Sequence, residues 1–164
     1  MTESFELIEP ERFVAGAEGP PGQRVFYLQA VDESQVMSLR LEKQQVAALC
    51  DYLAGILDDL PTVPAETTPT AELVGPVEPA WVVGTLAVAY EQSADRILVV
   101  AEEAVDPDEL VGDDEPATAQ IMLSRRQVSC FVHQAMEVVR AGRPPCVLCN
   151  QPIDPNGHVC PRWN

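Results

Sequence analysis

Basic residues are scarce in this chain: 10 Lys and Arg stand against 26 Asp and Glu, a formal net charge of −16 over 164 residues. So acidic a balance repels phosphate backbones and anionic lipid, which argues against nucleic acid or a membrane surface as partner. Long apolar runs are missing too. Nowhere do about eighteen uncharged apolar residues occur together, as a membrane-crossing helix requires, and the opening MTESFELIEPERF has neither a basic region nor an apolar stretch. A cytoplasmic protein is expected. The glycine-rich run from Gly16 to Arg24 lacks the P-loop lysine and the glycine spacing of a dinucleotide fold, and it leads into strand-like sequence, so it reads as a hairpin loop. No Ser, Asp and His set with a recognisable nucleophile context occurs. The eight carboxylates between residues 102 and 118 lack the alternation and terminal glutamate of a calcium loop, and predict a solvated loop.

What the chain does have is enough apolar sequence, 46% of residues, for a real core. Residues 1–12 are acidic and read as irregular. Strand patterns follow at Phe13–Gly16, Arg24–Ala30 and Val36–Leu41. From Glu42 the period changes: Val46, Leu49, Cys50, Leu53, Ile56, Leu57 and Leu60 share one helical face until Pro61 ends it. Residues 61–79, rich in Pro, Thr and Glu, read as an extended linker. Trp81–Tyr90 reads as a long strand buried on both faces, with Arg96–Ala101 as its hairpin partner. Gln120–Leu123 is a further short strand. Ser124 and Gln127 make a capping box for a second helix, whose core face is Val128, Phe131, Val132, Ala135 and Val139. Gly142 and the pair Pro144-Pro145 close it.

The two halves resemble each other. Phe13-Val14-Ala15-Gly16 matches Trp81-Val82-Val83-Gly84, Arg24 to Leu28 matches Arg96 to Val100, and Leu41 to Val46 matches Leu123 to Val128. Each half is strand, strand, strand, helix. The expected fold is therefore α+β: internally duplicated units, residues 1–60 and 80–142, forming one antiparallel-rich sheet system with two helices, followed by a small C-terminal zinc knuckle over residues 143–164.

The knuckle is read from CVLCNQPIDPNGHVCPRWN, which holds three of the five cysteines and one of the two histidines. Cys146 and Cys149 have the two-residue separation of a zinc-binding turn, and Asp154-Pro155-Asn156-Gly157 is a turn signal placed to bring the chain back. Cys160 follows. A second Cys-x-x-Cys arm would put a cysteine three residues on, where Trp163 stands, so His158 is the candidate fourth ligand. The expected cofactor is one structural zinc held by Cys146, Cys149, His158 and Cys160; a redox pair at Cys146 and Cys149 and a catalytic zinc are the alternatives. Cys50 and Cys130 lie in helical apolar patterns and read as small buried hydrophobes. His133 falls on a polar helix face and reads as solvated.

The strings PGQRVFYLQA, LEKQQVAAL, VVGTLAVAY, AGRPPC and GHVCPRWN together resemble an actinobacterial family of conserved hypothetical proteins, domain of unknown function 3090. The resemblance spans nearly the whole chain outside the linker and the acidic loop. It implies no activity. Members of that family tend to continue a few residues beyond the position of Asn164, and the genes often found beside theirs, for a histidine-phosphatase-like and a kinase-like protein, imply a shared pathway. The residues themselves favour a non-enzymatic zinc-binding interaction or adaptor protein with a protein partner. The alternative is an enzyme or small-ligand-binding protein acting on a phosphorylated metabolite, its site between the two repeats near Arg24, Arg96, or the polar trios Lys43-Gln44-Gln45 and Arg125-Arg126-Gln127.

Overall fold

The computed structural model describes residues 2–20, 22–61, 72–141, 146–149, 153 and 158–162. Gly142, Pro144-Pro145, the turn at 154–157, Trp163 and positions 62–71 of the expected linker lie outside these residues. The fold is α+β, with seven strands and two sixteen-residue helices among the described residues: β1 Phe5–Ile8, β2 Arg12–Glu18, β3 Val25–Asp32, β4 Gln35–Leu41, α1 Lys43–Asp58, β5 Val83–Glu91, β6 Arg96–Glu103, β7 Thr118–Leu123 and α2 Arg125–Arg140. A single 3₁₀ turn, Pro107–Glu109, interrupts the loop between β6 and β7.

The sheet system consists of two sheets. One has the order β2-β3-β4 and is antiparallel; the other has the order β1-β7-β6-β5, antiparallel except where β1 runs parallel to β7. The halves exchange contacts at both corners. The chain entering β2 lies on β7, with Glu9 N–H donating to the Met122 carbonyl at 2.7 Å, and the chain entering β5 lies on β4, with Ala80 N–H donating to the Ser38 carbonyl at 2.8 Å. A parallel bridge between Arg40 and Val82 completes the second corner. The helices exchange too: α2 packs on β2 and α1 on β5, and the two helices pack on each other. One apolar core of both sheets and both helices results, with Leu28, Leu39, Leu49, Leu53, Ile97, Ile121 and Leu123 almost completely buried. The Phe13 and Phe131 rings stack across the β2–α2 contact with centroids 4.5 Å apart.

Both helices start as capping chemistry dictates. The Ser124 hydroxyl accepts from Gln127 N–H, and the Gln127 side chain accepts in return from Ser124 N–H. At α1 the Gln45 side chain accepts from Glu42 N–H at 2.8 Å.

Three expectations change. Residues 1–12 are not irregular: Phe5 and Leu7 face the core while Glu6 and Ile8 face out, an alternation that makes β1 once β7 supplies a partner. The strand at 83–91 is buried on one face only. Leu86, Val88 and Tyr90 pack inward, and the small residues Ala87 and Ala89 are exposed, so an apolar run marked a small-residue outer face and not a second core. The string matches between the two halves also change. Aligned on their ladders, the two sheets set Leu41 with Leu123 as the strings do, but Phe26 with Ile97 and Ala15 with Val88, where the strings set Phe26 with Leu98 and Ala15 with Val83.

Residues 72–79 contain no helix or strand, yet their first part packs over the outer face of the β2-β3-β4 sheet. The Gln29 side chain, wholly buried, donates to the Val74 carbonyl at 3.0 Å and accepts from Val74 N–H at 2.7 Å, while Arg12 donates to the Glu72 carbonyl. Leu73 lies against Gly16 so closely that a Cβ there would come within 2.5 Å of its Cγ.

Candidate metal centre

Beyond α2 the chain carries the four residues singled out for metal binding, and it brings them together. One ligand atom from each of Cys146, Cys149, His158 and Cys160 lies within 4.8 Å of all the others. Cys146 and Cys160 are buried; Cys149 and His158 are half-buried. The Cys146 and Cys160 sulfurs are 3.9 Å apart, far beyond the disulfide length of about 2.05 Å, and the cysteines are free. Leu148 N–H points at the Cys146 sulfur at 3.5 Å, as expected of a Cys-x-x-Cys turn that wraps its backbone amides around a thiolate.

The environment separates the thiols. Backbone N–H groups of Cys149 and Leu148 favour the thiolate of Cys146 and draw its pKa down to about 6, with the nearby His158 side chain adding to the effect. Burial instead pushes the Cys160 thiol up. The His158 Nε2 atom is buried and has no hydrogen-bond partner among the described residues. An imidazole nitrogen withdrawn from water needs a compensating partner. Three thiols and that nitrogen form a donor set that fits a metal ion. Between the ligands, Val147 and Val159 are almost fully exposed, at 98% and 97%.

The other sequence candidates are placed apart from this group. Gln45 donates to the Val83 and Gly84 carbonyls and Gln127 to the Pro10 carbonyl, so both polar trios contribute structural ties between halves. Arg125 bridges to Asp95 at 2.9 Å and reaches the Pro61 carbonyl; Arg96 pairs with Glu9 at 2.8 Å. His133 is exposed, 3.8 Å from Glu137. Cys50 is buried, and burial, with the Asp51 charge adding to it, pushes its thiol up to about 11, which makes it inert as a nucleophile. Cys130 is half-buried.

One feature escaped the sequence reading. The carboxylate-rich loop folds beside β1 into a cleft of about 570 Å³, lined by Thr2 and Ser4 as well as by the loop. Its walls are held together by Glu103, whose carboxylate accepts from Ala117 N–H at 3.1 Å and from the Thr2 hydroxyl at 2.5 Å. The alternation of FELI was the available signal, since the pairing of β1 with β7 brings Thr2 and Ser4, just before β1, to the wall opposite the loop.

Among the described residues no helix is long and apolar enough to cross a membrane. The model of a family described as "Protein of unknown function (DUF3090)" matches residues 5–160. Neither the curated proteins nor the solved structures contain a match to the chain.

Proposed function

The chain belongs to the protein family of unknown function DUF3090, and from its cysteine and histidine group we propose that it is a zinc-binding interaction protein, an adaptor, in which Cys146, Cys149, His158 and Cys160 hold one structural zinc ion. The observation that carries the reading is the buried, unpartnered His158 nitrogen beside three thiols. Zinc bound by thiolates at about 2.3 Å in a tetrahedron places two sulfurs about 3.8 Å apart, and the separation of 3.9 Å between Cys146 and Cys160 supports that choice of ion. Thiolate and imidazole are also the ligands that select zinc over magnesium or calcium.

Four protein ligands leave no position for a water, so the ion stabilises a fold and does not activate a nucleophile. In this reading residues 143–164 form a knuckle on a body made of two duplicated halves, 1–60 and 80–142, with 61–79 between them. The exposed valines of the knuckle support a role in contact with another protein, and a cytoplasmic location suits an acidic protein with cysteines kept reduced. Of the residues around which a metabolite site between the halves would be built, Arg96, Arg125, Gln45 and Gln127 are engaged in structural bonds.

Metal analysis of purified protein tests the assignment. One zinc per chain is expected, lost or weakened in Cys146→Ser and in His158→Ala. Full zinc content in His158→Ala would remove the histidine from the ligand set, and a metal-free wild type would reject the site. Turnover of a metabolite by the purified protein, with no specific protein partner recovered, would overturn the adaptor half.

A further inference from the structure

The two sheets differ in what lies on their outer faces. On the β2-β3-β4 sheet, Val14, Tyr27, Gln29 and Ser38 are buried, with extended chain from Glu72 to Val74 packed over the sheet. The ladders place Ala87, Leu98, Val100 and Gln120 at the equivalent positions of the other sheet. There, no described segment takes that place. Ala87 and Ala89 are exposed, Leu98, Val100 and Met122 half-buried, and Ile8 is 68% exposed. Cross-strand pairing sets Ile8, Met122, Leu98 and Ala89 in one row, and Glu6, Gln120, Val100 and Ala87 in the next, where the apolar part is Val100 with Ala87. The third row, Glu102 with Thr118, opens on the acidic cleft, because Thr118 lines both. Glu103, Glu109, Asp113, Asp114 and Glu115 line that cleft, with no Lys or Arg beside them.

We propose that this outer face docks an extended segment of a partner protein, with apolar residues at alternate positions followed by arginine or lysine that enters the acidic cleft. The proposal rests on the interaction-protein half of the preceding reading and not on the metal. Charge selects the occupant. A second copy of this chain would bring Glu6, Glu91 and Glu102 of one face against those of the other on a molecule of net charge −16, whereas a basic segment meets complementary charge at the cleft. Spacing sets the pattern. Strand-like chain advances about 3.3 Å per residue, so a segment lying along β6 with apolar residues on the Leu98 and Val100 rows brings its basic residue to the cleft two positions later.

The probe is the peptide Ser-Leu-Ser-Val-Ser-Arg-Ser-Arg, added to the ¹⁵N-labelled full chain with its metal content measured in every sample. Expected are saturable amide shifts confined to β1, β5, β6, β7 and residues 103–118. Affinity should fall at least tenfold in Ala89→Glu, an exposed position where the fold persists, and at least threefold in the double variant Asp113→Asn, Asp114→Asn. The same peptide with glutamate for arginine should not bind. An absence of shifts, shifts elsewhere, equal binding of the glutamate peptide, or self-association of the chain through this face would each overturn the proposal. None of these outcomes changes the zinc count, so failure here is separable from failure of the metal assignment.

Discussion

Gln134 lies in the middle of the buried face of α2 and is 2% exposed. Its side chain accepts from Ala15 N–H at 3.0 Å and donates to the Ala15 carbonyl at 2.6 Å, taking the place of a neighbouring strand at the free edge of β2. Replacing it by leucine keeps the volume and strands two buried backbone groups, a loss of about 1–3 kcal/mol for each uncompensated group. Gln134→Leu should therefore lower the urea midpoint with an unchanged m-value, and an unaltered midpoint would show that water reaches this edge. Hydrophobic periodicity could not reveal the residue, because it registers apolar side chains and Gln134 counts against a core face. Periodicity did find Val128, Phe131 and Ala135, and all of Val46, Leu49, Cys50 and Leu53 on α1. The metal group was legible for another reason. Ligand spacing is a local property, and Cys146, Cys149, His158 and Cys160 fall within fifteen residues.

Between elements, the first turn of α2 is tied to the β5–β6 hairpin by one carboxylate. Asp95 accepts from the Tyr90 hydroxyl at 2.7 Å and pairs with Arg125 at 2.9 Å. Tyr90, then Arg125, hold the Asp95 pKa below its ordinary value, and the same hydrogen bond raises Tyr90. A carboxyl with a depressed folded-state pKa contributes stability above its unfolded value, about 3.9, and that contribution is lost as pH falls through the folded value. The gap in thermal midpoint between wild type and Asp95→Asn should thus be present at neutral pH and close in strong acid. A gap constant with pH would detach the tie from ionisation. In the same variant the Tyr90 phenol should titrate closer to its ordinary value. Both helices and every strand but β1 were legible because each carries its own period, and the capping box at Ser124 was readable from four residues. Which strand each helix covers was not. That depends on pairing across more than a hundred residues, as in β1 with β7, and no local pattern encodes it.

At the scale of the whole molecule, the core cluster includes neither Cys146 nor Cys160, although both are buried. Chelation should accordingly leave the main thermal transition and the far-ultraviolet dichroism of the body in place, while protease cutting increases near the C-terminal end; collapse of the main transition would make the metal part of the core. The exchange between halves has a consequence in time. During synthesis β2 is complete at residue 18, but the helix that covers it begins at residue 125. At about 5–20 residues per second, nascent β2 waits roughly 5–20 s for its lid with its edge unprotected, and the apolar face of α1, complete at residue 58, waits about 3–13 s. Among the described residues, α2 is the last helix to be made, and it closes the first strand of the antiparallel sheet begun before every other helix.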